Sequence, residues 1–246
     1  MTITDHIQEN YFGGQITYRL FQPIIPSKNY VLFLHGMGEV GPLDGSELYE
    51  TEKWGWPGFA KGQSPHENQV MGSVEYPFNI VAIQVPSSYG NYLKGIIAWL
   101  YYRFQAENIV LAGISLGCIA AYDMLRWDTS NRVLGVVACC GNDSLSSVPL
   151  LPKFKGMAWH GDKDTTVGYS GHYNFVQAYN AHHGPEGHIE WNKLEGVGHA
   201  AWNYAFKADP SQDKSLAFVN ALFASKTVAD PIAEIKVKLH QFADTL

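Results

Sequence analysis

Short, almost wholly apolar segments alternate along the chain with longer stretches of helical character. The short segments predict seven strands, at residues 16–21, 30–34, 80–85, 109–112, 133–139, 156–159 and 189–194. Several are apolar at every position, which is typical of strands covered on both faces of a sheet. The longer stretches predict helices at 92–105, 116–127, 173–181 and 215–224. This alternation predicts an α/β fold, with a doubly wound, mostly parallel sheet and helices on both faces.

Two stretches depart from this alternation. Residues 41–73 contain Gly, Pro, Trp54 and Trp56 and show no clear periodicity. Loops of that length are usually functional or carry minor structure, so a long loop or lid-like insertion is predicted there. The tail from residue 230 has apolar residues at helical spacing and predicts an extra helix. No linker, repeat or low-complexity tract divides the chain, so residues 1–246 are predicted to form a single domain.

Composition and charge narrow the classes of function. The chain is 46% hydrophobic and 16% charged, which provides apolar material for one large core and too little charge for a disordered protein. The net charge is −6, and no basic stripe suits phosphate neutralisation, so no nucleic-acid partner is expected. The three cysteines are odd in number and two are adjacent, so buried thiols are expected rather than disulfides. No Cys/His spacing resembles a zinc site, and neither a metal nor a cofactor is predicted.

The same patterns bear on location. The first ten residues are polar and lack the apolar stretch of a signal peptide. The longest apolar run, at 133–140, is far too short to cross a bilayer. A cytoplasmic protein with no membrane span is therefore expected, and the sequence does not indicate its oligomeric state.

A candidate nucleophile lies in the segment GISLG at residues 113–117, which matches G-x-S-x-G. The segment follows a predicted strand and precedes a predicted helix, as this motif requires. In that setting Ser115 sits on a sharp, strained turn, and side chains two residues to either side would crowd it. The turn also presents the backbone N–H of Leu116 toward a substrate carbonyl oxygen.

A second backbone N–H that faces the substrate carbonyl oxygen is predicted in the segment HGMGE at residues 35–39, directly after the second predicted strand. Its glycines allow the backbone to approach a substrate closely. The backbone N–H of Met37 is the predicted donor. Together with the N–H of Leu116 it would form an oxyanion hole, which stabilises the charge that develops on the carbonyl oxygen.

A serine hydroxyl needs a general base, and the base needs an orienting acid. The expected chain order is serine, acid, histidine. His199 follows the seventh predicted strand in a glycine-containing loop and is the candidate base. Asp164 follows the sixth strand and is the candidate acid, with Asp162 in the same loop as the alternative; Asp162 would otherwise shape the turn. His35 and His160 close strands and are expected to bond backbone or loop atoms.

These motifs resemble those of the α/β-hydrolase superfamily. More narrowly, the chain is similar to esterases related to phospholipase/carboxylesterases, feruloyl and acetylxylan esterases, and poly(hydroxybutyrate) depolymerase-like proteins. The matching segments lie between residues 30 and 206. The resemblance implies a catalytic triad and an oxyanion hole, and it favours Asp164 over Asp162. The implied residues are Ser115, Asp164 and His199 for the triad and Met37 and Leu116 for the oxyanion amides.

The chain departs from the family pattern at three positions. Val40 replaces a common arginine, Leu116 a common methionine and Cys118 a common glycine. Leu116 acts through its backbone, so that change is expected to be harmless. Cys118 is expected to be a buried packing thiol rather than a second nucleophile. Ser115 itself argues against the related dienelactone hydrolases, which use a cysteine.

The expected activity is cleavage of carboxylic esters through an acyl-enzyme, with a small-molecule or carbohydrate-linked ester as substrate. Trp202 lies one helical turn from His199 and is the best candidate for binding substrate. Further candidates to line a pocket are Trp54, Trp56, Tyr89 and Tyr92. Two alternatives stay open: a serine peptidase or amidase on the same scaffold, and a non-catalytic binding protein with this fold.

Overall fold

The molecule is built around an eight-stranded sheet. The computed structural model describes residues 1–12, 14–64, 69–70, 73–90 and 92–227. The strands in chain order are β1 (Thr2–Tyr11), β2 (Gly14–Gln22), β3 (Asn29–Leu34), β4 (Gln63–Ser64), β5 (Gln69–Val70), β6 (Asn79–Gln84), β7 (Asn108–Ile114), β8 (Val133–Cys139), β9 (Lys155–Gly161) and β10 (His188–Leu194). β4 and β5 form a separate antiparallel pair. The other eight strands are ordered β1-β2-β6-β3-β7-β8-β9-β10.

The sheet is mostly parallel. Strands β6, β3, β7, β8, β9 and β10 all run in the same direction, while β2 is antiparallel to both β1 and β6. The carboxyl ends of the parallel strands therefore meet at one edge of the sheet. In open α/β sheets that edge is where ligands bind.

Helices cover both faces of the sheet. They are α1 (Trp56–Lys61), α2 (Ile96–Phe104), α3 (Leu116–Trp127), α4 (Tyr169–His183), α5 (Trp202–Ala205) and α6 (Lys214–Thr227). The apolar sides of α2, α3 and α4 pack in one core cluster, and those of α1 and α6 pack in a second. Within β3, Leu32 and Leu34 join the first cluster while Val31 and Phe33 join the second. This two-sided burial explains the wholly apolar segments, and the predicted doubly wound α/β sheet is confirmed.

The N-terminal hairpin was not predicted from the sequence. β1 is an edge strand whose side chains are mostly exposed, so it lacks the apolar run that marks the buried strands. Its backbone pairs with β2 with a register shift between His6 and Glu9, and Asp5 forms an ion pair with Arg19 of β2. Backbone pairing rather than burial therefore holds this strand.

The segment at 41–73 is more structured than a loop. It contains a short 3-10 helix (Leu48–Glu52) and α1. Trp56 is fully buried, and its indole N–H donates to Asp213 Oδ2 at 2.7 Å. Part of the segment thus belongs to the core, and a lid-like role for the segment stays a prediction. The helix predicted beyond residue 230 lies outside the described residues.

Both core clusters lie against the same sheet, and a single domain over residues 1–246 stays a prediction. Among the helices that the structure describes, none has the length and apolar character needed to cross a membrane.

Candidate active site

Ser115 lies at the carboxyl edge of the sheet, between the end of β7 and the start of α3. Its backbone has φ 51° and ψ −116°, a conformation that residues with a side chain rarely adopt. The backbone N–H donates to the carbonyl oxygen of Cys139 at 2.8 Å, which ties the turn to β8. Strain of this kind is held by the surrounding structure and is common at functional sites.

The two glycines of the motif are required by close packing of backbone on backbone. A Cβ atom on Gly113 would overlap with the carbonyl group of Gly117. A Cβ atom on Gly117 would overlap with the carbonyl oxygen of Leu34, at the end of β3. The absence of both side chains lets α3 start directly against the strand ends, which fixes the direction in which Ser115 points.

We expect Gly117→Ala to destabilise the fold by about 3 kcal/mol, since the clash is with backbone atoms that cannot rotate away. Gly168→Ala is the matched control, because a Cβ atom there meets nothing within 4 Å and its φ is −60°. The control should stay within about 0.5 kcal/mol of the wild type. Urea denaturation measures both, and a Gly117→Ala protein as stable as the control would show that α3 does not depend on this contact.

His199 connects the serine to Asp164. Its Nε2 lies 2.9 Å from Ser115 Oγ, and its Nδ1 lies 2.7 Å from Asp164 Oδ2. Asp164 lies in the loop after β9, and His199 lies in the loop after β10. Three loops at the same sheet edge thus bring the predicted nucleophile, base and acid into one hydrogen-bonded line.

Asp164 is held as a charged acceptor. Its Oδ1 accepts the backbone N–H groups of Thr166 and Val167 at 2.8 and 2.9 Å. Burial is the largest influence and raises the pKa of Asp164, but the hydrogen bonds from His199, Val167 and Thr166 outweigh it. The pKa of this carboxyl therefore lies below its ordinary value, and the side chain is ionised at neutral pH.

Asp162 has a different place in the structure. Its Oδ1 accepts the backbone N–H of Gly196 at 2.8 Å, and its Oδ2 lies 3.3 Å from Lys193 Nζ. These contacts brace the turn that leads from β10 to His199. The structure therefore brings Asp164 to the histidine and leaves Asp162 to shape the loop.

The two predicted oxyanion donors stand at helix starts beside Ser115. Leu116 is the first residue of α3, and Met37 is the first residue of a short 3-10 helix, Met37–Glu39. The first N–H groups of a helix have no acceptor within it, so neither helix uses these two donors internally. A Cβ atom on Gly36 would lie 3.5 Å from Ser115 Cβ, which shows how closely this loop approaches the nucleophile.

Aromatic side chains stand beside the histidine. The Trp202 ring meets His199 edge to face, with centroids 5.4 Å apart, and lies 5.5 Å from the Trp54 ring. Trp54 comes from the 41–73 segment, and its indole N–H donates to Glu39 Oε1 at 2.8 Å. The contact between Trp54 and Glu39, which links that segment to the oxyanion loop, was not predicted.

Three other aromatic residues proposed for a pocket are core residues instead. Trp56, Tyr89 and Tyr92 are all buried. The Tyr89 hydroxyl donates to the carbonyl oxygen of His35 at 3.0 Å, and the Tyr92 hydroxyl donates to that of Gln15 at 3.1 Å. Tyr89 thus supports the end of β3 from within the core.

Cys118 is fully buried behind the serine, and burial raises the pKa of its thiol well above the ordinary value. A neutral, buried thiol is a poor nucleophile.

In the described part of the chain, no group of three or more His, Cys, Asp or Glu side chains is arranged to hold a metal ion.

Comparison with known proteins identifies the fold. No protein-family model and no curated protein matches the sequence. Among solved structures, the chain is similar to a thermostable esterase, with 19% identity, a TM-score of 0.60 and 90% of this chain aligned to 62% of that one. It is also similar to an Agrobacterium tumefaciens protein proposed to be an α/β hydrolase, with 14% identity, a TM-score of 0.60 and coverage of 93% and 100%.

A third similar structure is the Pyrococcus horikoshii acylaminoacyl peptidase, with 14% identity, a TM-score of 0.56 and coverage of 91% of this chain and 42% of that one. The chain thus spans less than two thirds of the thermostable esterase and less than half of the peptidase. At these identities structural similarity supports the fold rather than a shared activity. The sheet order, the two helical layers and these similarities together show that the chain has the α/β-hydrolase fold.

Proposed function

We propose that the chain is a serine hydrolase that cleaves carboxylic esters through an acyl-enzyme. The observation that carries the proposal is the line of two hydrogen bonds from Asp164 through His199 to Ser115. A nucleophile, a base within 2.9 Å and an orienting carboxylate within 2.7 Å are the geometry that acyl transfer requires. A protein that only bound a ligand would have no need of all three in this order.

In the proposed first step, Ser115 Oγ attacks the ester carbonyl carbon while His199 Nε2 takes the hydroxyl proton. Asp164 accepts the Nδ1–H of His199, which fixes the imidazole tautomer and stabilises the imidazolium that forms. The carbonyl oxygen becomes an oxyanion and is bound by the backbone N–H groups of Met37 and Leu116.

The tetrahedral intermediate then collapses, and the bond to the leaving alcohol breaks as His199 gives that oxygen its proton. The acyl group is left on Ser115. In the second half of the reaction, water attacks the acyl carbon while His199 takes a proton from it. The bond from that carbon to Ser115 Oγ then breaks, His199 returns the proton to Oγ, and the acid is released. Each half of the reaction uses the same five groups, namely the three triad side chains and the two backbone N–H groups, and no cofactor enters the proposed mechanism.

The substrate class is proposed from the aromatic residues Trp54 and Trp202. Trp202 packs against His199, and Trp54 packs against Trp202. We propose that these two rings contact the acyl or leaving group of a bound ester. Aromatic rings bind flat or sugar-like groups by contact with their apolar faces. A small-molecule or carbohydrate-linked ester is therefore the proposed substrate.

A serine peptidase or amidase is the second candidate, because the fold is shared with an acylaminoacyl peptidase and the same triad cleaves amides. A panel of p-nitrophenyl esters and aminoacyl p-nitroanilides separates the two. We expect kcat/KM for the best ester to exceed that for the best anilide by at least about a hundredfold, in line with the weaker leaving group of the amide. Faster turnover of an anilide would favour the peptidase, and no turnover of either class would favour a binding protein.

A further inference from the structure

Behind Asp164, on the side away from solvent, three polar side chains form a buried line. His160 is near the end of β9, His172 is in α4 and Tyr122 is in α3, and all three are fully buried. Buried polar groups are costly unless each is hydrogen-bonded. The hydrogen-bond partners of these three side chains therefore explain how the core accommodates them.

The line begins at the loop that holds Asp164. His160 Nε2 lies 2.9 Å from the carbonyl oxygen of Val167 and 3.1 Å from Asp164 Oδ2. Both partners are acceptors, so Nε2 carries the proton and donates. Burial lowers the pKa of His160, and the imidazole is neutral, which leaves its Nδ1 as an acceptor.

The remaining donors follow from this assignment. His172 Nδ1 lies 2.9 Å from His160 Nδ1 and must donate to it. Burial, with a smaller contribution from His160, holds the pKa of His172 well below its ordinary value, so this ring is also neutral. Its Nε2 then accepts the hydroxyl proton of Tyr122, 2.9 Å away. The hydrogen bonds run in one direction, from Tyr122 through both imidazoles to the loop that holds Asp164.

We propose that Tyr122, His172 and His160 are positioning residues that hold Asp164 and its loop in the geometry that orients His199. The inference rests on the proposed function, since positioning matters only if the triad is active. His160 supports the loop at two points: it donates to the Val167 carbonyl and stands against the carboxylate. The N–H of Val167 in turn donates to Asp164 Oδ1, so the loop and the carboxylate are fixed together.

The first experiment compares His160→Gln with His160→Met, two side chains of similar length and volume. Glutamine places an N–H donor where Nε2 stands, and methionine does not. We expect His160→Met to lower kcat by about 10- to 100-fold, the scale of one hydrogen bond to a charged group, with KM nearly unchanged. His160→Gln should recover most of that loss. Equal kcat for both variants and the wild type would overturn the proposal.

The second experiment removes the single hydroxyl at the end of the line that is farthest from Asp164. Tyr122→Phe should lower kcat by about three- to tenfold, and it should slow fluorophosphonate labelling of Ser115 by a similar factor. Tyr179→Phe is the matched control: its hydroxyl is also buried, but it bonds the backbone of Phe154 and Pro152. If both variants lose thermal stability alike and neither changes the labelling rate, the three residues are structural only and the proposal fails.

The tautomers give a readout independent of catalysis. Nitrogen-15 NMR of the wild-type protein should show His160 protonated on Nε2 and His172 protonated on Nδ1, and the opposite pattern would contradict the inferred direction. Labelling of wild-type Ser115 separates the positioning role from the proposed function. If the wild type is labelled but the variants match it, the positioning role fails alone; if the wild type is not labelled, the proposed function fails.

Discussion

Ser115→Ala is expected to lower kcat for ester hydrolysis by about a millionfold, the scale seen when the nucleophile of a catalytic triad is removed. Without the hydroxyl no acyl-enzyme forms, and His199 has no proton to take from Ser115. The fold should persist, because alanine keeps the Cβ atom and the strained turn is held by Gly113, Gly117 and the bond to Cys139. Initial rates with a p-nitrophenyl ester, at enzyme concentrations that reveal the residual rate, measure the loss.

Ser147→Ala is the matched control for this variant. Ser147 is buried, and its hydroxyl lies within hydrogen-bond distance of Asp143 Oδ2 and of the carbonyl oxygen of Ser144 rather than of any member of the triad. Loss of the Ser147 hydroxyl should lower the stability of the fold slightly and leave kcat within about a factor of two of the wild type. If Ser115→Ala kept a tenth of the wild-type kcat, another group would have to be the nucleophile.

Asp164→Asn is expected to lower kcat by about ten-thousandfold. The amide has the size of the carboxylate, but it removes the negative charge that stabilises the imidazolium. It also allows the opposite tautomer of His199, in which Nε2 carries the proton and no longer accepts one from Ser115. Rates measured across neutral pH, with circular dichroism to verify folding, give the size of the effect.

Asp162→Asn tests the alternative acid in the same loop. Its carboxylate bonds the Gly196 N–H and stands beside Lys193, and an amide oxygen preserves the first of these contacts. We expect kcat to stay within about threefold of the wild type, since the exposed ion pair contributes little. A greater loss for Asp162→Asn than for Asp164→Asn would reverse the assignment of the acid.

The arrangement of the sheet was largely predictable, because burial on both faces leaves a direct mark on the sequence. Each of the seven predicted strands is present, as β2, β3 and β6 to β10. The helix α3 has the predicted bounds of 116–127. β1 was missed because its stability comes from backbone pairing at an exposed edge, which requires no apolar run. α4 begins at Tyr169 rather than at residue 173, since its first turn is polar and partly exposed.

The proximity of Ser115 and His199 was predictable, because a residue type, a motif and chain order coincide at these two positions. Position after the strand left both Asp164 and Asp162 open, and only the family resemblance favoured Asp164, because the turn conformation determines which carboxylate faces the histidine. Nor could the sequence separate Trp54 beside the site from Trp56 in the core, two residues away. These distinctions depend on the direction of each side chain.

Contacts between distant segments were the least predictable part. The hydrogen bond from Trp54 to Glu39 joins the 41–73 segment to the oxyanion loop, and no shared motif in the sequence links the two. His160 was expected to bond a backbone or loop atom, and it does bond the Val167 carbonyl. Its approach to Asp164 and its link to His172 depend on how α4 packs on β9, which no local pattern encodes.

The role of Ser115 as nucleophile is tested most directly by mass spectrometry of the protein after reaction with a fluorophosphonate, followed by peptide mapping of the adduct. With Ser115 as the nucleophile, we expect one adduct per chain, located on Ser115, absent from Ser115→Ala and formed far more slowly in His199→Ala. An adduct that formed equally on Ser115→Ala, or one that mapped to another residue of the wild type, would contradict the assignment of Ser115 as the nucleophile.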